Sequence, residues 1–339
     1  MKIAVSLSYI IRLNLHGFIA ANVDDLLMIG DDTFEEEVTK KLQEQFKFSK
    51  IEDKEFTYCG CKIAQNEEGS ILLDQNKYIE ELEQIEKVAG DDGRPLTAAE
   101  KKEARGKIGA LLWISLITRP DLSFDVNVLS SDVARGTVAT VKEINRVIRN
   151  AKLRNDKLRF VRLGNLKDLE VKVYADASYS NQDGATKSTA GRVILLANQK
   201  ENMANIISWK TKKISRVCRS VKTAETRALD DAIDDGVHVA RIIKEIYNGH
   251  VDLKNPAQLP VIGYTDSKSL WESVHNTRQC EEKLLRNTIA SLKELLLEGM
   301  IKSVEWVPTK QQLADCMTKK GSKDKANWLL GIGSRNQMF

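Results

Sequence analysis

Hydrophobic positions recur with one rhythm in the first half of this chain and another in the second. An apolar run to Ala21, a turn over Asn22–Asp25 and the run Leu26-Leu27-Met28-Ile29 predict a hairpin within 17–30. Asp32 or Thr33 then heads a helix over Phe34–Phe46, with Glu35, Glu36 and Glu37 in the first turn, where acids suit the helix dipole. Phe56–Ala64 and Ser70–Leu73 predict a second hairpin that turns at Glu68-Gly69, and a helix follows near Lys77–Val88. Gly90-Asp91-Asp92-Gly93-Arg94-Pro95 reads as a linker. Beyond it, Thr97 and Glu100 form a capping box for a helix that Arg119-Pro120 stops near Thr118. Two more helices are expected near Leu122–Ala134 and Val138–Lys152.

From residue 170 the period changes. Val171–Ala175, Gly191–Leu196 and Ile206–Lys210 are short β-like runs, and Lys222–Tyr247 has the spacing of a long helix. Val261–Thr265 and Ser303–Val307 read as strands, Leu270–Val274 and Glu282–Leu297 as helices, and Gln311–Thr318 as a short final helix. Three consecutive strands, then strands alternating with helices, predict a mixed α/β sheet with helices on its faces. Four regions result: 1–95, a helical unit at 96–165, the α/β region at 166–322, and a tail at 323–339.

With 339 residues, 42% hydrophobic and 29% charged, the chain has the material for about two packed cores rather than a disordered segment. No run of 18 apolar residues occurs, and the stretch after Met1 turns polar too soon for a signal peptide. An intracellular protein, cytoplasmic or nuclear, with no membrane partner is therefore expected. Five irregularly spaced cysteines make a poor disulfide framework, and Cys59-Gly60-Cys61 has no second pair to complete a zinc site, so buried thiols are expected. Charge is divided unevenly. Residues 1–100 carry a net −10, residues 101–165 a net +8 and residues 166–339 a net +6. A basic remainder behind an acidic head suggests a polyanionic partner.

Four acids stand where stability alone would not place them. Asp176 follows the apolar strand Val171–Ala175, Asp266 follows Val261–Thr265, Glu225 opens the long helix, and Asp315 lies in Leu313-Ala314-Asp315. Singly, each has a plainer reading: a turn former at a strand end for Asp176, a helix-dipole carboxylate for Glu225, a solvated helix residue for Asp315. Together, if the two strands are neighbours, like charges would crowd one another unless a hard divalent cation such as Mg²⁺ or Mn²⁺ held them.

Those residues sit within stretches that resemble the ribonuclease H domain of copia-type LTR retrotransposon Pol polyproteins. The stretches are Tyr174-Ala175-Asp176-Ala177-Ser178, Lys187-Ser188-Thr189-Ala190-Gly191, Ile207-Ser208-Trp209-Lys210, Ala224-Glu225-Thr226-Arg227, Thr265-Asp266-Ser267-Lys268-Ser269-Leu270, Trp306-Val307-Pro308-Thr309, and Gln312-Leu313-Ala314-Asp315 with Thr318-Lys319. The resemblance covers about residues 168–320. It implies an RNase H-like fold and a metal site of Asp176, Glu225, Asp266 and Asp315. Two Mg²⁺ ions (Mn²⁺ is the other option) would serve cleavage of the RNA strand of an RNA–DNA hybrid, leaving a 5′-phosphate and a 3′-hydroxyl. In that scheme Asp176 touches both ions, Glu225 and Asp266 hold one, and Asp315 holds the other. Some RNases H carry a mobile histidine before the last carboxylate. Here Pro308-Thr309-Lys310-Gln311-Gln312 has none, His275 reads as a surface residue, and Lys310 is the nearest cation ahead of Asp315.

Asn22-Val23-Asp24-Asp25 between apolar runs resembles the second aspartate motif of copia-type reverse transcriptases. Tyr58-Cys59-Gly60-Cys61-Lys62-Ile63, Lys77-Tyr78-Ile79 and Thr118-Arg119-Pro120-Asp121 are similar to the late palm and thumb. The 23 residues before Asp24 contain no acid, so the first palm carboxylate is missing. Region 1–95 then reads as a truncated palm, 96–165 as a thumb-like unit, and polymerase activity is not expected of Asp24 and Asp25 alone. Lys210, Lys212, Lys213, Arg216, Arg219 and Lys222, uninterrupted by acid ahead of Glu225, are the expected phosphate contacts. The leading expectation is a metal-dependent hybrid ribonuclease. The alternative is an inactive nucleic-acid-binding remnant.

Overall fold

The computed structural model describes residues 16–23, 25–48, 50–86, 88–179, 188–248, 259–277, 280, 282–321 and 323–332. Residues 1–15 and 333–339, Asp24 and Lys187 lie outside the described residues. The first hairpin pairs β1 (Gly17–Asn22) with β2 (Asp25–Gly30), with Asn22 opposite Asp25. Asp31, not Asp32 or Thr33, caps the helix that follows, its carboxylate accepting the Phe34 N–H at 3.0 Å. That helix runs as α1 (Asp32–Phe34), a π-helical stretch Glu35–Thr39 and α2 (Lys40–Gln45), and it buries Phe34 and Val38 against Ile19.

The expected second hairpin is in fact three strands, β3 (Glu55–Tyr58), β4 (Cys61–Gln65) and β5 (Ile71–Asp74). Cys59 and Gly60 form the tight turn between the first two, at φ +48° and +74°. A two-residue hairpin turn with both φ values positive matches the strand twist. Cys59 is accordingly exposed, whereas Cys61, Cys218 and Cys316 are buried as expected and Cys280 is half-buried. The helix expected over Lys77–Val88 shortens to α3 (Asn76–Glu81). The reason is tertiary: Asn145 accepts the Ile85 N–H and donates to the Ile85 carbonyl, both at 2.8 Å, and holds that backbone out of the helix.

The capping box forms as expected, with Thr97 and Glu100 bonded reciprocally at the head of α4 (Ala98–Ile117). Helices α5 (Ser123–Asp132) and α6 (Val138–Lys152) pack on it around Ile108, Leu111, Ile114, Val126, Ile144 and Ile148. Arg119 is 1% exposed; it grips Asp121 through two 2.8 Å bonds and donates to the Ala151 carbonyl at 3.0 Å, tying the three helices together. The chain then returns as β6 (Leu158–Phe160) to the edge of the earlier sheet, giving the order β3-β4-β5-β6.

A five-stranded mixed sheet follows, in the order β11-β10-β7-β8-β9. Its strands are β7 (Leu169–Ser178), β8 (Thr189–Asn198), β9 (Met203–Lys213), β10 (Val261–Thr265) and β11 (Ser303–Trp306). The first three are antiparallel; β10 is parallel to both β7 and β11. The central β7 is buried along nearly its whole length because both sheet faces are covered. On one face lies α7 (Val221–Asn248), with Leu229, Ala232 and Ile233 against Val173, Ala175 and Ile194. Gly236 lets it approach: a Cβ there would stand 2.4 Å from Val173 Cγ2. Next to it, α8 (Lys268–His275) and α9 (Arg286–Leu297) complete that layer.

The opposite face carries Tyr174, Val193, Leu195 and Trp209 under a 3₁₀ turn, Leu313–Met317, where a short helix was expected. The first part of the expected tail joins this core as α10 (Lys323–Leu330), because Ala326, Leu329 and Leu330 share one helical face. The helical unit docks on β9 through Trp209 Nε1 to the Ser115 carbonyl (2.7 Å) and Asn127 Nδ2 to the Thr211 carbonyl (3.0 Å). Among the described residues no helix is long and apolar enough to cross a membrane. The mixed α/β class stands as expected.

Candidate active site

The register of two parallel strands assembles the site. Tyr174 of β7 lies opposite Tyr264 of β10, so the acids two residues further on, Asp176 and Asp266, emerge side by side. The two tyrosine rings stack beneath them at 4.6 Å. Gln312 brings in the third carboxylate. Its fully buried amide donates to the Ala175 carbonyl at 2.9 Å and its Oε1 accepts the Ala314 N–H at 3.2 Å, which fixes the 3₁₀ turn holding Asp315 across the ends of both strands. Gly191, opposite Asp176 on β8, makes room for that turn: a Cβ would stand 2.5 Å from Met317 Cβ and 2.7 Å from Thr318 Cγ2.

Ligand oxygens of Asp176, Asp266 and Asp315 lie within 4.8 Å of one another. Glu225 reaches in from α7, whose start is capped by Ser220 Oγ accepting the Thr223 N–H at 3.1 Å. One Glu225 oxygen, Oε2, is buried with no hydrogen-bond partner. Such an orphaned oxygen is costly unless something electropositive answers it. Burial, then Asp176 and Asp266, push the Glu225 carboxyl up to about 9, against the opposing Ala177 N–H bond. Burial likewise raises Asp176, outweighing Lys319 and the Thr318 hydroxyl. An all-oxygen donor set, strained in this way by its own charge, fits a hard divalent cation.

Several partners of these acids had no role assigned from the sequence, although Thr318-Lys319 was part of the resemblance. Thr318 Oγ1 donates to Asp176 Oδ2. Lys319 Nζ lies 2.5 Å from Asp315 Oδ1 and 3.6 Å from Asp176 Oδ1. Lys325 Nζ bonds Asp315 Oδ2 and, at 2.6 Å, the Thr309 carbonyl. These lysines, not the exposed Lys310, are the cations at the site. The i,i+4 spacing of Asp315 and Lys319 was the available signal; Lys325 had none, since its role depends on where α10 docks. His275 is exposed against Trp271, as expected.

The expected phosphate contacts divide. Lys210 lies in the expected strand, which runs on as β9 to include Lys212 and Lys213. Lys212 pairs with Asp231 at 2.6 Å, Lys213 with Asp132 at 3.9 Å and Lys222 with Glu282 at 4.0 Å. Burial, then Arg192 and Lys212, lower the Lys210 ammonium. Arg216 and Arg219 are exposed and have no ion-pair partner among the described residues. Asp25 is exposed on its hairpin and does not join the acidic cluster.

No family model matches the chain. It is 25% identical over 316 residues to the retrovirus-related Pol polyprotein from transposon RE2 of Arabidopsis thaliana, covering 89% of this chain and 20% of that one. The polyprotein from transposon RE1 of the same plant is 24% identical over 318 residues, with the same coverage. The chain thus spans about a fifth of the length of these curated relatives. Among solved structures, the N-terminal RNase H domain of a Mycobacterium tuberculosis protein, fused to maltose-binding protein, is 18% identical. That likeness covers 47% of this chain and 98% of that one at a TM-score of 0.33. The chain is similar in sequence to retrotransposon Pol polyproteins, as its motifs predict, and it has the mixed α/β class expected of it.

Proposed function

We propose that this chain carries a divalent-metal-dependent nuclease site that hydrolyses the RNA strand of RNA–DNA hybrids, within a fragment of a retrotransposon Pol polyprotein. The observation that carries the proposal is the convergence of Asp176, Asp266 and Asp315 within 4.8 Å beside the orphaned Oε2 of Glu225. Asp176, Glu225 and Asp266 would hold Mg²⁺ or Mn²⁺, and Asp315 would complete the ring. The resemblance implies a pair of ions; the first three carboxylates suffice for one. A bound ion would supply the Lewis acid that makes water nucleophilic and offsets charge on the departing oxygen. The residues do the rest. Gln312 and Thr318 hold Asp315 and Asp176 in register, and Glu225, protonated at neutral pH while no cation is present, gives up that proton as the site loads. Water adds to phosphorus as the P–O3′ bond breaks, leaving a 5′-phosphate and a 3′-hydroxyl.

The regions 1–95, 96–165, 166–322 and 323–339 are proposed as palm remnant, thumb-like unit, RNase H-like domain and tail, with β6 returning to the first sheet and α10 to the last. Arg216 and Arg219 are the proposed phosphate contacts, with Lys210, Lys212, Lys213 and Lys222 contributing where their acidic partners release them. One observation favours the second reading, an inactive nucleic-acid-binding remnant: both oxygens of Asp315 already face ammonium groups. The deciding experiment incubates the purified chain with Mg²⁺ and a labelled hybrid. Cleavage that Asp176→Asn abolishes, with hybrid binding retained, is expected. Binding without cleavage by the wild type would move the conclusion to the remnant, and equal cleavage by both proteins would defeat the assignment of the site.

A further inference from the structure

In the two-ion scheme that the resemblance implies, Asp315 and Asp176 would hold the second ion. Here that place is contested from within the chain. Lys319 Nζ lies 2.5 Å from Asp315 Oδ1 and 3.6 Å from Asp176 Oδ1, so an ammonium group bridges the two carboxylates a second cation would need. The other oxygen of Asp315 faces Lys325, which is itself tied to the Thr309 carbonyl at 2.6 Å and held by the docking of α10. Resting on the metal-site reading above, we propose that Lys319 stands in place of the second divalent ion, so that the site takes one ion, on Asp176, Glu225 and Asp266.

Charge supports this count. Four carboxylates against two ammonium groups leave two negative charges, which one divalent ion cancels. A second ion would leave the pocket with excess positive charge and would meet Lys319 at close range. The two lysines have separate parts. Lys325 is 19% exposed and locked between Asp315 and Thr309, so it fixes the carboxylate; Lys319 is 44% exposed, so it is the one that can be removed without disturbing the core. Its position is set by the 3₁₀ turn, which ends with the Lys319 N–H on the Asp315 carbonyl at 3.0 Å. Lys319 is a positioning residue: it neutralises Asp315 and Asp176.

The test counts ions and does not depend on cleavage. Free Mn²⁺ is measured by EPR during titration of the full chain, its Lys319→Met and Lys319→Arg variants, and Asp176→Asn. The wild type and Lys319→Arg are expected to hold one ion, with any second at least roughly tenfold weaker, whereas Lys319→Met takes a second ion within about threefold of the first. Asp176→Asn loses the first ion. Two ions bound alike by wild type and Lys319→Met would overturn the inference, as would a Lys319→Met variant that still holds only one, and both results would leave the metal site itself intact. No ion in either protein at millimolar Mn²⁺ would instead defeat the metal reading and the inference with it.

Discussion

Glu225→Gln should stabilise the metal-free protein, and the gain should grow with pH. Burial, Asp176 and Asp266 lift the Glu225 carboxyl from its ordinary 4.5 to about 9, so between those values the folded state binds a proton that the unfolded chain has released. Stability from this group is therefore fully present below pH 4.5 and is lost as pH rises toward 9. At 1.36 kcal/mol per pH unit, the span from 4.5 to 7 corresponds to about 3 kcal/mol, and the effect at pH 5 is below about 1 kcal/mol. Glutamine keeps the shape and an acceptor for the Ala177 N–H but has no charge to bury. Because Glu225 is 6% exposed, solvent screening does not reduce the effect. Urea denaturation in EDTA at pH 5, 6, 7 and 8 measures it directly. Mg²⁺ should then stabilise the wild type and leave Glu225→Gln nearly unchanged, since the variant lacks a ligand. A Glu225→Gln variant no more stable than wild type at pH 7 to 8 in EDTA, or a gap that does not widen with pH, would refute the argument that this carboxylate is held at a cost which a cation relieves.

Gly191→Ala should push the Leu313–Met317 turn away from the sheet, lowering stability by about 1–3 kcal/mol in chemical denaturation and weakening Mn²⁺ binding through displacement of Thr318, which holds Asp176. Arg119→Ala leaves Asp121 buried without its partner and should cost about 3–5 kcal/mol by the same method, with no direct effect on the acidic cluster. Arg216→Ala with Arg219→Ala should weaken hybrid binding for all sequences and reduce its log–log salt slope by up to about 0.9 per lost phosphate contact. Lys212→Ala, whose ammonium already pairs with Asp231, should change that slope less. Fluorescence anisotropy from low to moderate salt distinguishes the two.

Much of the fold and site was legible along the chain because its causes are local. The β-like and helical runs after residue 170 have the periods of the strands and helices that form, and the Thr97–Glu100 capping box depends on residues three apart. The four acids stood out because Asp176 and Asp266 follow strands, Glu225 opens a helix and Asp315 lies in the last short helical run. Other features depend on contacts distant in sequence. Asn145 holds Ile85 out of a helix from 60 residues away, and α10 counts as core only once Leu329 and Leu330 meet the underside of the sheet. Lys212 was one of six interchangeable cations until α7 set Asp231 beside it. The sequence by itself determined which residue types could answer a hard cation, since carboxylate chemistry belongs to the residue. Tertiary structure alone decided their distances, the orphaned oxygen of Glu225 and the ammonium of Lys319 between two acids, because electrostatic coupling depends on separation and burial, and both are set by strand register and helix docking.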